Sequence, residues 1–444
     1  MVTRETLKKV IVEYQDFLKT VELQTRDVAF EPKGKYVMVG VRHAGKSYLL
    51  YQRARELLAA GHSAEEFCYV NFDDERLIGM KAEALGEILD AYHSLFDHAP
   101  ILFFDEIQNI TGWERFARRL ANEKYLVFIT GSNAKMLSRE IATTLGERYL
   151  AMEVMPYSFG EYLRANGITV GKNWKYGREA NLVRRHVESY LRFGGFPEVL
   201  EYQNKRAWLN GLYGRIFFSD MVVRNGIKNE DALRLSVHKL AESVGQPAAY
   251  NRIANLVKAA GVSTTTASVQ DYVRFMRESC LVFSIPNAAA KFAERESVKK
   301  HYFIDNGLLN IFLTNPESAL LENACALQLH RKYGNGVTFY RQNVEVDFYL
   351  PENGLAVQAC WSMKDPDTRT RELKALEKLS KRYELKKMFV VTRDESETIV
   401  LAGGGTVEVI PLAEWLLLME TYETSTQTPS GPGVHRAIMH RYCL

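Results

Sequence analysis

The stretch Val37-Met38-Val39-Gly40-Val41-Arg42-His43-Ala44-Gly45-Lys46-Ser47 decides the fold that this chain should adopt. A β-prone run ends at Val39, residues 40–47 fit the pattern G-x-x-x-x-G-K-S/T, and residues 48–60 have helical spacing. In a strand, loop and helix of this order, glycines let the backbone approach an anion, and the amides of the helix N-terminus point at it. The stretch predicts a phosphate-binding loop, and the alternative is a glycine turn beside a surface lysine.

The same loop predicts which residues hold ATP. Lys46 should place its positive charge on the β- and γ-phosphates, and the Ser47 hydroxyl should hold Mg²⁺. The nucleotide-binding set that we expect is Gly40, Arg42, His43, Ala44, Gly45, Lys46, Ser47 and Tyr48.

A pair of carboxylates follows a second apolar run, residues 101–104. Four apolar residues without polar alternation predict a strand buried on both faces, and ligands bind at the carboxyl end of such strands in a parallel sheet. Asp105 and Glu106 stand at that end. We expect Asp105 to reach the Mg²⁺ held by Ser47, and Glu106 to polarise the water that attacks the phosphate.

Polar residues beyond the next predicted strand, residues 125–130, complete the candidate catalytic set. Ser132 or Asn133 should touch the γ-phosphate or orient water, unless the segment is a plain turn. Arg139 and Arg148 are the arginines expected to donate charge to the transferred phosphoryl group. Arg148 would act in a neighbouring subunit's site, which requires a homo-oligomer.

Composition bounds the class of protein. The 444 residues predict two to four domains, and 57 basic against 54 acidic residues exclude the global electrostatic footprint of a nucleic-acid-binding protein. The five scattered cysteines lack metal-ligand spacing and predict reduced thiols. No apolar run approaches the length of a membrane span, and the N-terminus does not have the pattern of a signal peptide. We expect a cytoplasmic protein without a membrane partner.

Three helical runs between Ala232 and Ser279, followed by a strand at 281–285, are typical of a winged helix-turn-helix. Small polar residues at the start of the third run favour DNA contact, whereas the modest density of lysine and arginine favours a protein partner. Both partners stay open. Upstream, Gly194-Gly195-Phe196-Pro197 interrupts the helices and predicts either a hinge or an ordinary loop.

The C-terminal region contains a predicted hairpin, residues 344–350 and 355–360, joined by a turn. If Leu350 pairs with Leu355, then Asp347 faces Gln358 and Glu345 faces Cys360.

Several motifs together resemble one family. The motifs are residues 40–47, 103–108, 130–132, 194–198, 301–308 and 321–323. In them the chain is similar to prokaryotic AAA-type P-loop ATPases that carry a C-terminal DUF4143 domain, a family without an agreed cellular role. The family usually shows a glycine directly before the arginine that matches Arg148, where this chain has Glu147.

The hairpin is also similar to the restriction-endonuclease-like core, which uses an acid on one strand and an acid-x-lysine on the next. Asp347 is kept, Gln358 replaces the second acid, Cys360 replaces the lysine, and Glu322 stands on a preceding helix. An amide is a poorer Mg²⁺ ligand than a carboxylate, and a thiol carries no ammonium charge. The resemblance implies a degenerate nuclease site, and the alternative is a polar sheet face that meets solvent.

The fold class expected is therefore α/β: a P-loop NTPase domain with a parallel sheet, a helical linker, a winged helix-turn-helix and a smaller α/β restriction-endonuclease-like domain. The expected boundaries are 1–32 for an N-terminal helix, 33–159 for the ATPase domain, 160–228 for the linker, 229–288 for the winged helix, 289–420 for the nuclease-like domain and 421–444 for a disordered tail. The function favoured is a Mg²⁺-dependent ATP-hydrolysing switch. The alternatives are an ATP-regulated DNA nuclease and an ATP-gated scaffold that does not hydrolyse.

Overall fold

The computed structural model describes residues 2–421, so the predicted tail lies outside the described residues from residue 422 onward. The chain divides into two compact units, the first built mainly from residues up to Met155 and the second mainly from Pro156 onward. No helix among the described residues combines the length and the apolar character needed to cross a membrane.

The first unit is a parallel α/β structure. Its helices are α1 (Arg4–Thr20), α2 (Lys46–Ala59), α3 (Gly86–His93), α4 (Trp113–Asn122) and α5 (Arg139–Thr144). Its strands are β1 (Tyr36–Val39), β2 (Phe67–Asn71), β3 (Ile101–Asp105), β4 (Val127–Gly131) and β5 (Leu150–Glu153). All neighbouring strands are parallel, in the order β2-β3-β4-β1-β5. The predicted P-loop NTPase sheet is confirmed.

The centre of this sheet is apolar because its strands are covered on both faces. Every residue of β1, β3 and β4 is buried, as the uninterrupted apolar runs predict. Strand β4 lies between β1 and β3. The loops that follow these three strands therefore open on one edge of the sheet, since carboxyl ends of parallel strands share an edge.

Helix α1 packs against β2, as its apolar stripe predicts. Leu7, Val10, Ile11 and Leu18 are buried on one helix face. The Gln15 side-chain amide donates a hydrogen bond of 2.9 Å to the Phe67 carbonyl oxygen in β2. The N-terminal helix is thus part of the core of the first unit.

The second unit contains the remaining elements. Its helices are α6 (Phe159–Ala165), α7 (Glu179–Phe193), α8 (Lys205–Arg215), α9 (Glu230–Glu242), α10 (Tyr250–Ala259), α11 (Thr266–Glu278), α12 (Phe292–Ser297), α13 (Asn306–Asn310), α14 (Glu317–Tyr333), α15 (Pro366–Ser380) and α16 (Leu412–Thr421), and α8 continues into a π-helical segment, Ile216–Val223. Its strands are β6 (Ala248–Ala249), β7 (Val282–Pro286), β8 (Val298–Phe303), β9 (Thr338–Arg341), β10 (Glu345–Leu350), β11 (Leu355–Ala359), β12 (Lys387–Thr392), β13 (Glu397–Val400) and β14 (Thr406–Pro411).

Helices α9, α10 and α11 with strands β6, β7 and β8 form the winged helix. Strands β7 and β8 pair antiparallel from Val282↔Phe303 to Pro286↔Lys299, and β6 adds to β8. The pair that forms the wing therefore extends to Phe303, whereas the range expected from sequence stops at 288. The second wing strand was missed because a connection of residues 287–297 separates it from the first.

The C-terminal sheet is mixed, in the order β13-β14-β12-β11-β10-β9. Strands β9, β10 and β11 form an antiparallel meander, and β12 returns parallel to β11 through α15. This is the arrangement of a restriction-endonuclease-like core. The predicted pairing of Leu350 with Leu355 is observed, and the ladder extends to Phe348↔Val357. The observed ladder stops at Phe348 and therefore does not reach Glu345 or Cys360, while on its other side Glu345 pairs with Arg341 of β9. The expected facing of Glu345 and Cys360 stays a prediction.

The glycine pair at 194–195 packs against a buried carboxylate. Asp305 accepts hydrogen bonds of 2.7 Å from the amides of Gly195 and Gly307. Gly194 has φ +74°, and a Cβ there would lie 1.9 Å from an oxygen of Asp305. Burial raises the pKa of Asp305 to about 6, although these amide bonds oppose the rise. The segment predicted as a hinge or loop is therefore an anchored turn.

Candidate functional site

The loop between β1 and α2 has the backbone that a phosphate-binding loop requires. Gly45 caps α2 in the left-handed region at φ 90°, and His43 lies there at φ 62°. Gly40 packs against β5, where a Cβ would lie 1.9 Å from the Val154 carbonyl oxygen. The first turn of α2 directs its amides towards this loop, because they have no acceptor inside the helix.

Lys46 bends back over its own loop. Its Nζ donates hydrogen bonds of 3.1 Å to the Gly40 carbonyl and 3.0 Å to the Val41 carbonyl. The same ammonium lies 3.5 Å from Oε1 of Glu106, and the side chain is only 4% exposed. The structure thus brings Lys46 and the acid pair together, as expected for carboxyl ends on one sheet edge.

Asp105 is fully buried at the end of β3. The Tyr69 hydroxyl donates a 2.7 Å hydrogen bond to Oδ2, and the Thr130 hydroxyl donates to Oδ1. Burial and the adjacent Glu106 raise the pKa of Asp105. Hydrogen bonds from Thr130, Ser47 and Tyr69 oppose that rise. Ser47 and Asp105, the two expected Mg²⁺ ligands, are therefore in contact.

Glu106 is held in an unusual backbone conformation, the left-handed region at φ 52°. Its amide donates a 3.0 Å hydrogen bond to the Thr130 hydroxyl. Burial raises the pKa of Glu106, but Lys46, the Gln108 amide and Arg42 outweigh burial, so the net pKa is lowered. The carboxylate is ionised and faces the phosphate-binding loop.

Gln108 is a member of this site that the sequence did not single out. Its Nε2 donates hydrogen bonds to Oε2 of Glu106 and, at 3.2 Å, to Oγ of Ser132. Gly131 leaves room for this amide, since a Cβ there would lie 2.6 Å from Oε1 of Gln108. The sequence signals were its spacing two residues after Glu106 and its place at the end of the motif 103–108, and neither assigned it a role.

Ser132 and Asn133, which the sequence left as alternatives, differ in the structure. Ser132 is 1% exposed and meets Gln108 at the end of β4. The Asn133 side chain accepts a 3.0 Å hydrogen bond from the Lys135 amide and caps a short 3-10 helix. Ser132 is therefore the candidate that faces the acids, and Asn133 stabilises the local turn.

The remaining predicted residues lie at the margin of the site or away from it. Tyr48 is 54% exposed. Arg148 is exposed and donates a 2.9 Å hydrogen bond to the Gly146 carbonyl. Leu150 pairs with Tyr36, so Arg148 lies towards the amino edge of the sheet, opposite Lys46. The structure does not bring Arg148 to the site of its own chain. The side chain of Arg139 lies outside the described part of the structure.

The predicted degenerate nuclease residues are only partly together. Glu322 and Asp347 both approach Lys300, a residue that the sequence reasoning missed. Gln358 instead accepts a 2.7 Å hydrogen bond from the Asp347 amide and donates one to Glu372. The Cys360 thiol donates a 3.1 Å hydrogen bond to the Ser362 carbonyl oxygen.

Comparison with known proteins assigns the family. Residues 33–163 match the AAA_14 model, described as an AAA domain. Uncharacterized protein MJ1544 of Methanocaldococcus jannaschii is 31% identical over 427 residues, which are 92% of this chain and 95% of that protein. This chain belongs to the MJ1544 family. An uncharacterized protein of Haemophilus influenzae is 26% identical over 421 residues, which cover 93% of this chain and 100% of that protein.

The C-terminal family assignment differs from the one expected. Residues 184–319 of this MJ1544-family chain match a domain of unknown function, DUF8612. The expected DUF4143 domain is not shown. The DUF8612 range begins in α7 and ends in α14, so it includes the winged helix.

Two solved structures are similar to parts of this MJ1544-family chain. The Walker-type ATPase PABY2304 of Pyrococcus abyssi is 12% identical, covers 70% of this chain and 96% of its own, and has a TM-score of 0.38. The Aeropyrum pernix ORC1 protein in complex with DNA is 17% identical. The match covers 74% of this chain and 94% of that protein, with a TM-score of 0.30.

Proposed function

We propose that this protein is a Mg²⁺-dependent, ATP-hydrolysing AAA-type switch protein. One observation carries the proposal: the buried Lys46 ammonium, the Ser47–Asp105 hydrogen bond and the Glu106 carboxylate meet at one sheet edge. Phosphate, metal and attacking water each need one of these groups. A glycine turn beside a surface lysine does not explain a lysine that is 4% exposed.

Lys46 and the loop from Gly40 to Tyr48 would bind the phosphates. In this structure the ammonium has two main-chain carbonyls as acceptors. A triphosphate would offer stronger, charged acceptors to the same group and to the amides of α2. The Ser47 hydroxyl and Asp105 are the oxygen ligands that suit Mg²⁺, which when bound neutralises charge on phosphate oxygens.

Glu106 is the proposed base. Because its pKa is lowered by Lys46 and Gln108, the carboxylate is ionised at neutral pH and can accept a proton from water. Ser132 would orient that water or the γ-phosphate from the end of β4. Arg148 would act on the site of a second copy, which agrees with its position on the opposite edge of its own sheet.

Phosphate release under multiple turnover tests the proposal. We expect the full chain with ATP and Mg²⁺ to release many phosphates per protein molecule, and EDTA to stop the release. A single turnover followed by no further release would instead support an ATP-gated scaffold. The winged helix would dock either DNA or a protein partner.

Gln108 is proposed as a positioning residue for Glu106. We expect Gln108→Ala to lower kcat about 10-fold with little change in ATP affinity, because the Glu106 carboxylate loses the side-chain amide that positions it. Asn109→Ala is the matched control, since this adjacent side-chain amide donates to Asp73 and not to Asp105 or Glu106. Steady-state phosphate release at saturating ATP measures the effect. An unchanged kcat in Gln108→Ala would show that Gln108 does not position Glu106 for hydrolysis.

A further inference from the structure

Lys300 of β8 is completely buried, with a side-chain exposure of 0%. Its Nζ lies 3.3 Å from Oε1 of Glu322, 3.1 Å from Oε1 of Glu345 and 3.0 Å from Oδ1 of Asp347. Glu322 belongs to α14, and the other two acids belong to β10. One ammonium therefore joins the wing strand of the winged helix to two elements of the nuclease-like domain.

The three acids are also bonded to other groups of the chain. The Tyr302 hydroxyl donates a 2.8 Å hydrogen bond to Glu322, and the Ala359 amide donates one of 3.0 Å to Oδ2 of Asp347. Arg341 lies 3.5 Å from the second oxygen of Glu345. The second oxygen of Glu322 packs on Gly245, where a Cβ would lie 2.2 Å from it. Donors of the chain itself therefore contact both oxygens of Glu345 and of Asp347 and the first oxygen of Glu322.

A lysine ammonium matches this surrounding in the number of its donors and in the sign of its charge. It has three N–H donors and no acceptor, and three carboxylates surround it. Burial lowers the pKa of Lys300, but Glu322, Asp347 and Glu345 outweigh burial, so the net pKa is raised and the ammonium stays charged. Among residues 2–421, no group of three or more His, Cys, Asp and Glu side chains is arranged to hold a metal ion.

A second contact joins the same two domains beside this cluster. Asn287, directly after β7, forms a parallel bridge with Phe339 of β9. The Ala288 amide donates a 2.8 Å hydrogen bond to the Phe339 carbonyl, and the Asn287 side chain donates one of 2.9 Å to the Arg341 carbonyl. The Lys300 ammonium lies 5.5 Å from the centre of the Phe339 ring. The wing and the nuclease-like sheet are thus joined along one edge.

We propose that Lys300 is the resident cation of the nuclease-like site. Its ammonium stands where a divalent metal would be needed, and it fastens the winged helix to the nuclease-like domain. The C-terminal region is then metal-independent and is not a phosphodiesterase. This inference does not depend on the nucleotide site.

Metal binding gives the first test. The unfolding midpoint of the full chain is measured in EDTA and in excess Mn²⁺, for the natural sequence and for Asp347→Asn. We expect the Mn²⁺-induced shift to be the same in both proteins, because Asp347 serves Lys300 and not a metal. A shift that disappears in Asp347→Asn, or Mn²⁺-dependent DNA cleavage that disappears with it, would overturn the proposal.

Charge removal gives the second test. Lys300→Met keeps most of the side-chain volume and should lower the unfolding midpoint by roughly 10 °C, because the buried carboxylates lose their counter-ion. Adding Glu322→Gln and Asp347→Asn to Lys300→Met should restore at least about half of that loss, since neutral amides need no cation. Even if Lys300→Met fails to fold, the unfolding midpoint of the triple variant still shows whether charge or packing explains the role of Lys300. No recovery would show that Lys300 acts through packing and would overturn the electrostatic role.

Discussion

Glu106→Gln should bind ATP as the natural protein does and release phosphate at least about 100-fold more slowly. The amide keeps the shape of the side chain but cannot accept a proton from water. Binding should persist because Lys46, the loop amides and Ser47 are unchanged. The Glu106 carboxylate and the phosphates are both negatively charged, so its removal takes no attractive contact away from ATP. Isothermal titration with ATP and Mg²⁺, together with steady-state phosphate release, measures the two quantities separately.

Glu123→Gln is the matched control for this prediction. This variant makes the same chemical change at an exposed residue directly after α4. Glu123 there forms an ion pair of 3.5 Å with Arg119. Phosphate release should be unaffected by it. Natural turnover in Glu106→Gln would exclude Glu106 as the base. Loss of binding in the same variant would show that Glu106 has a structural role, through its contacts with Thr130 and Lys46.

Local sequence was sufficient to predict the strands and the helix that position the candidate site. Strand β1 ends at Val39 as predicted, and β3 and α2 begin within two residues of the predicted positions. Each has a strong periodic or uninterrupted apolar pattern, and the glycines at 40 and 45 fix the loop between the first two. The pairing of Leu350 with Leu355 was predictable because a short turn sets the register of a hairpin.

The residues that were missed make their contacts across long sequence separations or without a pattern. Lys300 meets Glu322 and Asp347, which lie 22 and 47 residues away. Asp305 meets Gly195 at a separation of 110 residues. A single polar residue in a buried strand has no periodicity, so only the fold reveals its partners. Gln108 is close to Glu106 in sequence, but its second contact, Ser132, is brought near by the β3–β4 pairing.

Lys46→Ala should lower the affinity for ATP roughly 100-fold, because it removes a charged donor from the phosphates. The fold should tolerate the change. Alanine is favourable in the first turn of a helix. The acceptors that Lys46 leaves are the loop carbonyls of Gly40 and Val41 and the Glu106 carboxylate, which keeps its hydrogen bond from Gln108. Titration with a non-hydrolysable ATP analogue and Mg²⁺ measures the affinity, and thermal unfolding without nucleotide verifies the fold.

Lys19→Ala is the matched control for this last prediction, since Lys19 is an exposed lysine of α1 in the same unit, paired with Asp16 at 2.9 Å. Its removal should leave ATP affinity unchanged. If Lys46→Ala is folded and still binds the analogue with natural affinity, the ammonium is not a phosphate ligand, and the convergence of Lys46 with Asp105 and Glu106 must serve stability alone. If affinity falls only for Lys46→Ala, the three groups act on one bound triphosphate, because the buried lysine would then have exchanged its two main-chain carbonyls for phosphate oxygens.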